Sequence, residues 1–140
     1  MTIMKTILFA ISVALSAFLV LPAQAAKVSP TEISGAVTVD AAQAKELFDR
    51  GVIFVDVRKN SDWDAGRIPG AKHIELKKKY NEASLGKVIA KGKEVVIYCN
   101  GAGCMRSSKA SIKAVSWGFT KVYYFRGGLP AWQIAGFPVE

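Results

Sequence analysis

From Val37 onward the apolar residues come as short unbroken runs separated by stretches of helical spacing, a pattern that predicts strands alternating with helices. Val37-Thr38-Val39 reads as a short strand. Asp40 and Gln43 form a helix-capping pair, after which Ala44, Leu47 and Phe48 fall on one helical face. Arg50-Gly51 supplies the stop. The next run, Val52-Ile53-Phe54-Val55, is rich in β-branched and aromatic residues, the mark of a strand covered on both faces. Strand, helix and strand in that order predict a parallel sheet.

The same grammar returns further on. Glu94-Val95-Val96-Ile97-Tyr98 is a buried strand, followed by a glycine-bearing loop from Cys99 and a helix that runs to about Trp117. Val122-Tyr123-Tyr124-Phe125 is another strand, closed by Arg126-Gly127-Gly128, and Leu129 to Ile134 reads as a short helix. Ile68-Pro69-Gly70 marks a turn, and the Lys-rich stretch after it receives no element. The expected architecture is α/β, one sheet with helices on both faces.

The N-terminal residues follow a different pattern. Lys5 precedes an apolar run from Ile7 to Leu21, then Pro22 and Ala23-Gln24-Ala25, the order of a secretory signal peptide over residues 1–25 with a domain over 26–140. A retained anchor is the alternative, but it needs about 18 apolar residues or more, and a cleavage-type segment follows this run directly. The expectation is therefore a periplasmic or secreted protein with no stable membrane insertion after cleavage. Of 19 basic and 11 acidic side chains, only Lys5 lies in that leader, so the domain is basic and attracts anions. No nucleic-acid reader motif accompanies the charge, and export argues against such a partner. The local run Lys77-Lys78-Lys79 reads as a solvated loop or helix end.

In open parallel sheets, ligands bind where strand ends lead into helices and free backbone amides point outward. Cys99 occupies that place, and Asn100-Gly101-Ala102-Gly103-Cys104-Met105 leads from it to Arg106-Ser107-Ser108. Two glycines let the amides converge into a nest for negative charge. A helix start and a cation such as Arg106 would also lower a thiol pKa from about 8.5. Two other readings stay open on these grounds: Cys99 as a small buried hydrophobe, or as half of a plain disulfide with Cys104, which export permits. His73 is the sole histidine, so a histidine triad or metal cluster lacks material, and it reads as a core or edge residue at the start of a short strand after Gly70-Ala71. Trp63, Trp117, Trp132, Tyr123 and Tyr124 read as core aromatics.

Three segments in order resemble the rhodanese family. The first is Phe54-Val55-Asp56-Val57-Arg58 with Asp62-Trp63-Asp64-Ala65-Gly66-Arg67-Ile68-Pro69-Gly70-Ala71-Lys72-His73-Ile74. The second is Val96-Ile97-Tyr98-Cys99-Asn100-Gly101; the third is Phe125-Arg126-Gly127-Gly128-Leu129-Pro130-Ala131-Trp132 with Gly136-Phe137-Pro138-Val139. The resemblance implies a five-stranded parallel sheet flanked by helices, and a sulfurtransferase in which Cys99 carries sulfane sulfur as a persulfide. It implies a small anionic donor such as thiosulfate, a thiol, protein-cysteine or cyanide acceptor, and neither metal nor organic cofactor. Carried over, Cys99 is the nucleophile. The amides of Asn100, Gly101, Ala102, Gly103, Cys104 and Met105, with Arg106 beyond them, would hold the outer sulfur. Asp56, Arg58 and Arg67 match motif positions that brace the loop or line its entrance.

The chain departs from the family at one place. Cys99 to Cys104 fills the usual loop length, yet the basic and hydroxyl residues that close it stand at Arg106 and Ser107, making the loop about two residues longer. The related phosphatases and arsenate reductases use C-x5-R, and here Met105 holds that arginine's place. Cys99 and Cys104 can also close into a disulfide, and so short a ring favours a labile bond over a structural one. Cys104 would then resolve the persulfide or shield Cys99. Besides an enzyme, the sequence admits a sulfur-delivery or partner-docking module with poor thiosulfate turnover. It also admits a thiol-disulfide redox protein, although the pair lacks C-x-x-C spacing.

Overall fold

A computed structural model describes residues 21–23 and 27–140. The signal-peptide reading concerns residues 1–25, nearly all of which lie outside the described set. The elements are β1 (Ala36–Thr38), α1 (Ala41–Asp49), β2 (Ile53–Asp56), α2 (Asn60–Ala65), β3 (Lys72–His73), α3 (Glu82–Val88), β4 (Glu94–Tyr98), α4 (Arg106–Ser116), β5 (Lys121–Phe125) and α5 (Gly128–Ile134). The strands form one five-stranded sheet in the order β1-β5-β4-β2-β3, every pair parallel.

Alternation along β4 divides the core. Val95 and Ile97 face one side, with Cys99 in phase beyond them, and pack with Leu85 of α3 and Ala110 and Ala114 of α4. Val96 and Tyr98 face the other, with Ala44 and Leu47 of α1 and Trp132 of α5. Both faces of β4 are thus sealed, which is why its residues are an apolar run and not an alternating one. Each buried Val, Leu or Ile side chain among them contributes about 1.5–3 kcal/mol. Trp132 and Tyr124 are fully buried, and Trp63, Trp117 and Tyr123 are partly buried and pack against the core from its margin.

Helix α1 begins as its sequence predicts: the Asp40 carboxylate accepts the Gln43 amide at 2.8 Å, and the Gln43 side chain accepts the Asp40 amide at 2.9 Å. Helices α2 and α3 were not expected. Helix α2 buries no residue and has no side-chain cap, and α3 buries only Leu85, so neither leaves an apolar face to read. The α3 signal was instead its cap, where Asn81 and Ser84 bond reciprocally at 2.8 and 2.9 Å.

The topology also creates the crevice. The chain leaves β2 toward β3 on one edge, while it leaves β4 toward β5 on the other. The loops after these two adjacent strands diverge, so the carboxyl ends of β2 and β4 flank a switch point, where open parallel sheets bind ligands. Asp56 to Lys59 follow on one side, and Cys99 to Met105 on the other.

Candidate functional site

Cys99 directly follows β4 and is fully buried, joined by a disulfide to the partly exposed Cys104, with their Cα atoms 6.4 Å apart. The backbone holds this arrangement independently of the sulfurs. The Cys104 amide donates to the Gly101 carbonyl at 2.9 Å, and the Leu129 amide at the start of α5 donates to the Cys99 carbonyl at 3.0 Å. The amides of Asn100, Gly101, Ala102 and Gly103 meet no acceptor among the described residues, so the loop presents free donors at the N-terminal end of α4. Met105 is the N-cap residue of that helix.

An unexpected partner clamps the middle of the loop. Ser29 donates both its amide and its hydroxyl to the Ala102 carbonyl, each at 2.8 Å, and Arg126 grips the Ser29 carbonyl at 2.9 and 3.2 Å. Ser29 lies in a polar lead with no periodicity, so nothing in the local sequence pointed to it.

Asp56 and Arg58 form a buried ion pair, with the Arg58 Nη2 donating to Asp56 Oδ2 at 2.7 Å and Nε sitting 3.0 Å from both carboxylate oxygens. Burial works against the Arg58 charge, but the Asp56 carboxylate outweighs it and the guanidinium is held above its ordinary range. The same guanidinium donates to the Gly66 carbonyl at 2.7 Å and to Asn100 Oδ1 at 3.3 Å. Asn100 in turn donates to Asp62 at 2.9 Å. A chain of polar contacts therefore runs from β2 to the residue beside Cys99. Arg67 takes no part in it: its guanidinium stacks over Trp63 at 4.4 Å and bonds the Trp63 carbonyl and Glu140. His73 lies on the edge strand, stacked on Trp63, with Nε2 2.8 Å from the Arg58 carbonyl.

Arg106 is engaged away from the loop, by Glu75 and by the Val57 carbonyl. It lines a cleft of about 370 Å³ together with Lys59, Asn60, Ser61, Glu75, Lys77, Lys78 and Lys79. The lysine run is thus one wall of a cationic cleft beside the crevice. Among the described residues no group of His, Cys, Asp or Glu side chains is gathered to hold a metal ion. Ser107 and Ser111 are buried with hydroxyls that have no partner among those residues.

The Arg106 hydrogen bond holds the Glu75 carboxyl below its ordinary 4.5, against burial and with help from the amides of Lys77 and Lys78. A carboxylate with a lowered native pKa stabilises the fold fully above its unfolded value, and that contribution is lost as pH falls through the native value. Glu75→Gln should cost about 1 kcal/mol at neutral pH, between a surface and a buried pair. Thermal melts of both proteins from about pH 7 to about pH 3 should show the gap closing only in the acid range. A constant gap across that range would mean that the charge pair contributes nothing.

A buried cysteine at the end of a central parallel strand, followed by a loop of amides without an acceptor among the described residues, sets out the site. The chain belongs to the Rhodanese-like domain family, which it matches over residues 40–135. It is 30% identical over 97 residues to the thiosulfate sulfurtransferase GlpE of Pseudomonas fluorescens, covering 69% of this chain and 84% of that protein. It is 39% identical over 88 residues to the tRNA uridine(34) hydroxylase of Buchnera aphidicola, covering 59% of this chain but only 27% of the larger protein. The solution structure of the rhodanese-like domain of Alr3790 from Anabaena superposes with a TM-score of 0.63 at 29% identity, covering 74% of this chain and 77% of that one.

Proposed function

We propose that this protein is an exported sulfurtransferase that takes sulfane sulfur from thiosulfate or a similar anion and carries it as a persulfide on Cys99. The observation that carries the reading is the position of Cys99, buried at the end of β4 and followed directly by the amides of Asn100 to Gly103, which have no acceptor among the described residues. Those donors suit a thiolate before transfer and the outer, anionic sulfur after it, and they need no reorganisation between the two. The cationic cleft at Lys59, Lys77, Lys78, Lys79 and Arg106 favours an anionic donor. Likeness to a named thiosulfate sulfurtransferase supports the same chemistry. Export rests on the leader pattern of residues 1–25.

In the first half-reaction the Cys99 thiolate attacks the sulfane sulfur of thiosulfate, forming an S–S bond as sulfite leaves with the electron pair of the old one. In the second, a nucleophilic acceptor takes the outer sulfur and returns the thiolate, a two-step exchange that gives ping-pong kinetics. Asp56, Arg58 and Asn100 hold the loop in place and need not touch the donor. With the disulfide reduced, the protein mixed with thiosulfate should gain one sulfur by intact mass and transfer it to cyanide. Cys99→Ser should lose transfer by about 10³-fold or more, as removal of a covalent nucleophile does. A reduced protein that neither gains sulfur nor forms thiocyanate would instead favour a module that docks a partner.

A further inference from the structure

We propose that Cys104 resolves the Cys99 persulfide, which makes the protein a sulfane-sulfur reductase that releases hydrosulfide as well as a sulfur carrier. The inference rests on Cys99 carrying the persulfide, and it adds a second activity to that site. Its basis is the disulfide together with the contacts that hold its two ends when the sulfurs are apart. The Cys104 amide bonds Gly101, the Cys99 carbonyl takes the Leu129 amide, and the Ala102 carbonyl between them takes two bonds from Ser29. None of these contacts involves sulfur. Reduction therefore leaves Cys104 beside Cys99, and attack within the loop has the advantage of a reactant already in place.

The step balances without an outside oxidant. The Cys104 thiolate attacks Sγ of Cys99, forming the Sγ–Sγ bond and breaking the bond to the outer sulfur. That sulfur leaves with the electron pair, and with the proton given up by Cys104 it is hydrosulfide. The two cysteines lose two electrons and the sulfane sulfur gains them. With thiosulfate as donor, one reduced protein yields one sulfite, one hydrosulfide and one disulfide. Turnover then requires an external dithiol, either a small molecule or a dithiol protein. Cys99 is fully buried and Cys104 partly exposed, so the incoming thiolate reaches the Cys104 sulfur. That attack frees the Cys99 thiolate beside a loop whose amides have no acceptor among the described residues, and a leaving thiolate that such donors stabilise departs faster.

The competing fate of the persulfide is transfer to an outside acceptor, which attacks the outer sulfur. Geometry sets the balance between the two. An outside acceptor has to diffuse to the persulfide, while Cys104 is in place from the start. Without an acceptor the internal route should dominate, and a high concentration of cyanide should divert sulfur from it.

The test is a single turnover. The protein is reduced, freed of reductant under anaerobic conditions and mixed with thiosulfate, and sulfide, sulfite, intact mass and free thiols are followed together. Wild type should release about one sulfide per chain, lose both free thiols and retain no added sulfur. Cys104→Ser should gain one sulfur, hold it, and release sulfide about tenfold more slowly or less. Cys104→Ala should behave as Cys104→Ser, and sulfur gain by either variant shows that its site is folded. Wild type that keeps the added sulfur while Cys104 remains alkylatable would overturn the resolving role but leave the carrier role standing. If neither wild type nor the Cys104 variants takes sulfur and no sulfite appears, the carrier role fails, and the resolving role falls with it.

Discussion

Gly128→Ala is expected to destabilise the protein by about 2–5 kcal/mol and to disable sulfur loading. Gly128 has φ +57°, and a Cβ there would stand 2.2 Å from the Cys99 carbonyl oxygen, 2.8 Å from its carbon and 2.9 Å from the Gly101 amide nitrogen. The left-handed conformation costs an alanine about 1–2 kcal/mol, and inserting a methyl into packed surroundings costs about 1–3 kcal/mol more. The neighbours are backbone atoms of Cys99 and Gly101, so no side chain can rotate away. Relief requires α5 or the loop to move, and either movement breaks the bond from the Leu129 amide to the Cys99 carbonyl. Denaturant unfolding gives the first number, and persulfide formation under native conditions reads the second. Wild-type stability and loading in the variant would mean that this close approach does not exist in solution.

The second large effect lies in the buried pair. Asp56→Asn and Arg58→Met should each destabilise by about 3–5 kcal/mol, because each leaves the other charge buried and uncompensated. Asp56 is 0% exposed and Arg58 2%, so water cannot replace the missing partner. The double variant should be much less destabilised than the sum of the singles, as expected for residues in direct contact. Function separates the two changes. Arg58 also reaches Asn100 and the Gly66 carbonyl, so Arg58→Met should slow sulfur loading even where the protein is fully folded. Additive losses in the cycle would show that the pair acts as two independent polar groups.

The inner strands and the longer helices were legible because burial on both sides writes itself into the sequence. Val95–Tyr98 is an apolar run because α3 and α4 cover one face of it and α1 and α5 the other. The Asp40 and Gln43 cap was readable for a different reason, since its contacts span only three residues. Helices α2 and α3 escaped because they sit at the rim and bury almost nothing. Arg106 was assigned to the thiol as a nearby cation, yet it is engaged by Glu75, a residue from the stretch given no element. Arg67 matched a family motif and stands at the surface against Trp63 and Glu140, away from the loop.

Local spacing determined the alternation of elements, the parallel sheet, and the place of Cys99 at the mouth of a glycine-bearing loop. Those features depend on hydrogen bonds and burial patterns a few residues long, and their chemistry is visible one segment at a time. Tertiary structure alone decided the strand order, the switch point between the diverging loops after β2 and β4, and the clamp on the Cys99 loop. Ser29 and Ala102 are 73 positions apart, and Arg126 and Ser29 are 97 apart. Contacts at such separations exist only after the sheet has brought distant segments together, and a serine or an arginine carries no local mark of the carbonyl it will meet.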